Sequence, residues 1–160
     1  MLIEPKALRS ALGRFATGVT IITCRDAAGQ PVGLTANSFN SLSLDPPLVM
    51  WALRNASSHL IDFQKATHFA VNVLAEDQIG LSRRFASPVP DRFAEGTWTD
   101  GQGGVPVLAN CTAVFECHSD RHHAAGDHVL FIGRVLALHQ ADLPPLLFHA
   151  GNYHQRGAAL

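Results

Sequence analysis

The sequence is poor in cysteine. Its three, Cys24, Cys111 and Cys117, are an odd number with no CxxC pair, which argues against a secreted disulfide framework and against a structural zinc site. A reducing, cytoplasmic setting is the expectation. Net charge is small too: 12 Lys and Arg against 13 Asp and Glu leave −1, so the basic field that grips nucleic acid or anionic lipid is missing. Partners must be recognised locally. No apolar run reaches the ~18 residues that span a bilayer, and the start MLIEPKALRSALGRF lacks the apolar stretch of a signal peptide. Neither export nor a membrane anchor is expected, and the sequons at Asn55 and Asn110 read as chance matches. Absent as well are GxGxxG after a strand, the P-loop pattern, HExxH and GxSxG, which disfavours a Rossmann site and the common hydrolase machineries.

What is present suits one compact domain over residues 1–160, with 47% apolar and 16% charged residues. Leu8, Leu12 and Phe15 recur at helical steps after Pro5 and predict a short amphipathic N-terminal helix. The β-branched run 19–24 predicts a strand, and turn residues over 26–31 fold it back on 32–39 as a hairpin. Asp45-Pro46-Pro47 interrupts regular structure, and the apolar run 48–53 reads as a buried central strand. Asn55, Ser57 and Ser58 offer an N-cap for a helix over 59–65. Residues 68–74 read as a strand and 76–85 as a helix. The Pro- and Gly-rich excursion 87–104 is longer than an ordinary connection requires. Two long strands, 107–118 and 128–139, flank a His-rich connection over 119–127, and 146–153 closes the chain as a short extended piece. Six or seven strands without strand–helix alternation favour a mainly β fold with inserted helices, an antiparallel barrel, over a doubly wound sheet.

Three places can carry chemistry. Cys117, His118, His122, His123 and His128 gather around one connection, but their spacing matches no standard zinc pattern, so no metal is expected. Residues 33–44 repeat hydroxyls and amides through an apolar neighbourhood. That is either an edge strand with an Asn/Ser turn or a ledge that hydrogen-bonds the rim of a planar heterocycle. Arg54-Asn55-Ala56-Ser57-Ser58 is either a plain helix cap or, with its hydroxyls and charge, a phosphate site.

The segments RFATGVTIIT, GLTANSFNSLSLDPPLV, RNASSHLI, SRRFA and GDHVLFIGRV, in this order from Arg14 to Val135, closely resemble the flavin reductase-like family. The terminal LLFHAGNYH is similar to that family's closing segment, so the resemblance covers nearly the whole chain. It implies a split β-barrel of Greek-key type that binds FMN or FAD. It implies that Thr35, Ala36, Asn37 and Ser38 line the isoalloxazine beside Ala52 and Leu53, and that Ser57 and Ser58 meet the phosphate. Arg84 and Phe85 of SRRFA are implied on the ribityl-phosphate or nucleotide side, although Phe85 reads equally well as core. His128 is implied near the nicotinamide, in a positioning role, with Tyr153 approaching the same pocket.

The resemblance further implies hydride transfer from NADH or NADPH to the flavin, with reduced flavin passed to a separate monooxygenase, in a homodimer. Two alternatives stay open. One is a flavin-bound reductase of another acceptor, a corrinoid or a ferric complex; the other is a non-enzymatic flavin- or heme-binding split-barrel protein that uses its nine histidines. Arg121 is nominated for a 2′-phosphate only because it lies in the His-rich connection.

Overall fold

The computed structural model describes residues 2–160, so the first residue of the expected 1–160 domain lies outside the described part. In chain order the elements are α1 (Pro5–Leu12), β1 (Thr17–Gly18), β2 (Thr20–Arg25), β3 (Pro31–Ala36), β4 (Asn40–Leu44), β5 (Pro47–Arg54), α2 (Leu60–Lys65), β6 (His68–Val73), α3 (Ile79–Phe85), β7 (Trp98–Asp100), β8 (Pro106–Leu108), β9 (Ala113–Ala125), β10 (His128–Gln140), β11 (Leu147–His149) and β12 (Asn152–His154). Seven of the strands form one antiparallel sheet in the order β3-β2-β6-β9-β10-β5-β4. The expected mainly β architecture with inserted helices is what forms.

The two edge strands of this sheet, β3 and β4, are consecutive in the chain. Four residue steps from Ala36 to Asn40 reach at most roughly 14 Å, whereas a flat seven-stranded sheet would hold its edges roughly 29 Å apart. The sheet therefore has to roll. Its inner face encloses Ile22, Trp51, Phe63, Phe69 and Phe131, with Trp51 stacked on Phe131 at 4.6 Å between centroids and meeting Phe63 edge-on at 4.9 Å. Close packing is visible at Gly133, where a Cβ would come within 2.3 Å of Phe69. A second apolar cluster, with Val19, Ile21, Leu74, Phe85 and Leu108, lies on the other side of β2. Both faces of β2 are thus covered, which explains its uninterrupted apolar and β-branched sequence.

Several expected boundaries move. The His-rich connection is not a loop: β9 and β10 pair from Ala125↔His128 to Ala113↔Gln140, leaving Gly126-Asp127 as the turn. Ladder bonds between two long partners hold residues that have no strand preference of their own. The expected strand 107–118 is split into β8 and β9. The helix expected over 76–85 begins as a 3-10 turn at Glu76–Gln78. The strand expected to be central, β5, lies one place from the edge and buries alternate residues, Val49, Trp51 and Leu53. The excursion 87–104 contains a 3-10 turn at Arg92–Ala94 and strand β7, paired with β8. Finally, α1 forms as expected but buries none of its residues, and Leu12 and Phe15 are 66% and 74% exposed.

Candidate functional site

The roll of the sheet brings the end of β3, the three-residue link to β4, the end of β5 and the start of β10 around one opening. A cavity of about 480 Å³ lies there, lined by the expected Thr35, Ala36, Asn37, Ser38, Ala52, Leu53, Ser57, Ser58, Phe85 and His128. Residues as far apart in sequence as Thr35 and His128 thereby line one space. Each is placed by a backbone relation that the sequence patterns could not display.

Two hydroxyls of the expected ledge are spoken for. Thr35 Oγ1 donates to the Ser82 carbonyl at 2.6 Å. Ser38 Oγ donates to the Ala52 carbonyl at 2.9 Å and accepts the Ala52 N–H at 3.0 Å, so it ties the β3–β4 link to β5. The polar capacity of this wall for a ligand then falls to the exposed Asn37 amide and to the backbone beside it.

On the opposite side, Ser57 and Ser58 precede α2, but the cap position is His59, with no side-chain cap bond. Ser57 Oγ instead accepts the His59 N–H at 3.3 Å, closing a local turn. This corrects the expected cap over 55–58. His128 begins β10 opposite Arg54 of β5, and its Nδ1 lies 2.7 Å from Asp127 Oδ1. The His128 ring holds the exposed Asp127 carboxyl below its ordinary range, first through this hydrogen bond and then through charge. The bond also fixes the ring so that its other nitrogen stays free for a ligand.

Three expected residues stand differently. Phe85 reaches the cavity with an edge but is 1% exposed, and it sits against Gly33, where a Cβ would come within 2.8 Å of its ring, so it is a core residue as well. Tyr153 lines a neighbouring cavity of about 200 Å³ with Val19 and Phe148, on a wall that shares Thr35, Ala36, Asn37 and Ala86 with the larger one. Its hydroxyl lies 2.7 Å from Ser82 Oγ. Arg84 is not brought to the cavity: its guanidinium binds the Asp91 and Arg92 carbonyls and Glu95, bracing the 91–95 segment. The reason is α3's geometry, which directs position 84 away from the opening while position 85 faces in.

Sequence reasoning missed His59 and Arg92, which also line the cavity. His59 adjoins Ser57-Ser58 and was visible in RNASSHLI; Arg92 lies in the irregular excursion, where no local signal marks it. With Arg54 and His128 they give the cavity a basic lining that contains no Asp or Glu. Such a space favours an anion. The three cysteines lie elsewhere, buried, their thiols pushed up to about 12 mainly by desolvation. Among the described residues no group of three or more His, Cys, Asp or Glu is arranged to hold a metal ion.

A family model described as "Flavin reductase like domain" matches residues 12–157. The chain belongs to the flavin reductase-like family. This flavin reductase-like chain is 47% identical over 152 residues to a protein of Rhizobium meliloti (strain 1021) named "Probable flavin reductase"; the match covers 95% of the chain but 49% of that relative, so the chain spans about half its length. It is 42% identical over 152 residues to the "Flavin-dependent monooxygenase, reductase subunit HsaB" of Rhodococcus jostii (strain RHA1), covering 94% of the chain and 77% of the relative. Among solved structures, the Streptomyces globisporus C-1027 NADH:FAD oxidoreductase SgcE6 superposes with a TM-score of 0.91 at 34% identity, covering 100% of this chain and 99% of that one. The rolled sheet is therefore the fold of this family.

Proposed function

We propose that residues 1–160 act as one domain, an NAD(P)H:flavin oxidoreductase that transfers a hydride to FMN or FAD and supplies reduced flavin to a partner monooxygenase. The observation that carries this reading is the acid-free cavity between residues 34–38, 52–54 and 57–59, whose lining combines apolar side chains with hydroxyls and cations. A flavin with a terminal phosphate asks for both kinds of surface, apolar for its ring and cationic for its phosphate. Ala36, Ala52 and Leu53 offer ring contact, Asn37 and the adjacent backbone meet the ring's polar rim, and Ser57, Ser58, Arg54 and Arg92 face the phosphate.

When bound, the flavin supplies the hydride-accepting ring and the reduced nicotinamide the hydride, so the protein need provide no nucleophile. The chain's work is placement and exclusion of water. His128, its ring held by Asp127, lines the cavity and positions the donor. Tyr153 shapes the adjoining space behind the 35–37 wall. A helix-end or dipole contribution is worth about 0.3–1 kcal/mol, against about 8 kcal/mol for micromolar affinity. Most of the binding then comes from ring burial, which suits a flavin that must also leave.

The monooxygenase partner is inferred from relatives named as reductase subunits of such enzymes. A homodimer is supported by apolar surface that one chain leaves in water: Leu12 at the end of α1 and Phe15 just after it, with Leu44 and Leu138. A cytoplasmic location agrees with three free thiols. Anaerobic mixing with NADH and FMN tests the central reading. Bleaching of the flavin's visible band at catalytic enzyme concentration is expected; an unchanged band with either flavin and either nicotinamide overturns it.

A further inference from the structure

Two histidines far apart in sequence stand side by side in the middle of the large sheet. His68 of β6 and His118 of β9 are direct partners in the antiparallel ladder, with ring centres 5.4 Å apart and ring planes at 72°. Their neighbours Phe69 and Cys117 turn to the inner core, so strand alternation puts both histidines on the outer face. The Cys117 thiol therefore faces away from them. Neither histidine lines the flavin cavity.

The spacing has a chemical meaning. A metal–nitrogen bond of about 2.0–2.1 Å puts an imidazole ring centre roughly 3.2 Å from the ion, and two imidazoles at a tetrahedral angle then have centres roughly 5.2 Å apart. The His68–His118 pair nearly matches this. A second pair, His149 and His154, is wider at 5.9 Å, which at the same bond length opens the angle to roughly 135°. The His68 ring is also held in place. Gly103, at φ 64°, lies so close that a Cβ there would come within 2.4 Å of the ring's Cγ and Nδ1. Thr67 Oγ1 lies 2.9 Å from Nδ1, and the Ser119 N–H donates to the Thr67 carbonyl at 2.8 Å, tying that residue to the start of the β9 outer half. With Nδ1–H donating to the Thr67 hydroxyl, the ring's lone pair is on Nε2, the way a neighbouring acceptor orients a metal-binding histidine. His118 is exposed, so either of its nitrogens is free to turn to the same ion.

The charged neighbours are engaged elsewhere. Glu116 Oε2, on the same strand, accepts the Gln102 N–H at 2.6 Å. Arg134, the partner of His118 on β10, leans to Asp120 at 3.5 Å, and that carboxylate offsets its charge. The chain thus offers two imidazoles and leaves the other coordination positions to water. Such a donor set suits borderline cations and not Mg2+ or Ca2+, which take oxygen ligands. We propose that His68 and His118 form a two-histidine site, open to water, for a divalent cation of the Zn2+, Ni2+ and Cu2+ class. The ion bridges β6 and β9, the third and fourth strands of the seven, and it acts independently of the flavin reading of the cavity.

The full chain, stripped of metal with a chelator and exchanged into a non-coordinating buffer, is titrated with ZnCl2 by calorimetry at pH 7.5. Three variants accompany it: His68→Gln, His118→Ala and, in the wider pair, His149→Ala. Weakening of about tenfold or more is expected in each of the first two, since one imidazole cannot chelate, with His149→Ala within about twofold of the parent. Cu2+ added to the parent should show hyperfine coupling to two imidazole nitrogens by electron paramagnetic resonance, reduced to one in His68→Gln and in His118→Ala. Zn2+ binding should also be lost at pH 5, where a protonated imidazole has no lone pair to give. Circular dichroism reports folding; should His68→Gln be unfolded, the exposed His118→Ala decides. Affinity for Zn2+ that is unchanged in His118→Ala, that falls with His149→Ala instead, or that is no tighter in the parent than in all three variants, which marks an adventitious ion only, overturns the proposal.

Discussion

Ser38 and Ala52 are joined twice, the Ser38 hydroxyl donating to the Ala52 carbonyl and accepting its N–H at 2.9 and 3.0 Å. One side chain thus fixes the distance between two walls of the cavity, where the β3–β4 link passes β5. Ser38→Ala removes both bonds. At a solvent-reached site the expected stability loss is about 1 kcal/mol, read by urea unfolding. Flavin affinity should fall roughly threefold to tenfold, because the wall is no longer held. An unaltered flavin titration in a folded variant would remove this link from the site's construction.

Ser57 and Ser58 are assigned to the phosphate end of the flavin. The double substitution Ser57→Ala, Ser58→Ala is expected to weaken FMN by about tenfold and riboflavin by less than about twofold, since only FMN carries the phosphate. Parallel fluorescence titrations give both numbers. Equal losses for the two flavins contradict the assignment.

His128→Ala should slow hydride transfer by roughly tenfold or more while flavin affinity stays within about twofold, the pattern of a group that positions the donor. Stopped-flow reduction under saturating NADH separates the two quantities. Asp127→Asn serves as the companion variant, since it keeps the turn and removes the charge that orients the ring. A smaller slowing of the same step is expected, and normal turnover in both variants takes His128 out of the site.

Cys24, Cys111 and Cys117 are buried, and desolvation raises each thiol from 9.0 to about 12. All three should resist alkylation at pH 8 in the folded protein and react together once urea unfolds it. The sign of the linkage follows. Below pH 9 both folded and unfolded chains hold the thiol protons and the full stability is present. Between pH 9 and about 12 the unfolded chain loses them first, so stability falls as pH rises through that window. A flat urea midpoint from pH 9 to 11 would contradict the burial of these groups.

Much of the strand layout is legible locally because burial leaves a mark on composition. The run 19–24 is apolar and β-branched because β2 is covered on both faces, and Asp45-Pro46-Pro47 interrupts because β4 turns into β5 there. The β9–β10 hairpin was illegible beyond His118: His122, His123, Ala124 and Ala125 have no strand preference, and their extended form comes from pairing with β10. The stripe of α1 was legible as a helix, yet not as one whose apolar side faces away from its own sheet. At the site, the quoted segments named most of the lining, whereas Arg92 carried no local signal and Arg84, beside a good motif residue, turns elsewhere.

Amino-acid order by itself determined the family, the mainly antiparallel strands and the presence of a polar stretch over 33–44, since each is a property of neighbours along the chain. Only the rolled sheet decided which of those polar groups remain available. Packing β3 against α3 consumed the Thr35 hydroxyl, tying the β3–β4 link to β5 consumed that of Ser38, and folding the 87–104 excursion over β3 delivered an arginine. Hydrogen-bond partners and charge neighbours are set by distance in space, and a chain that rolls a seven-stranded sheet fixes those distances only when every strand is paired.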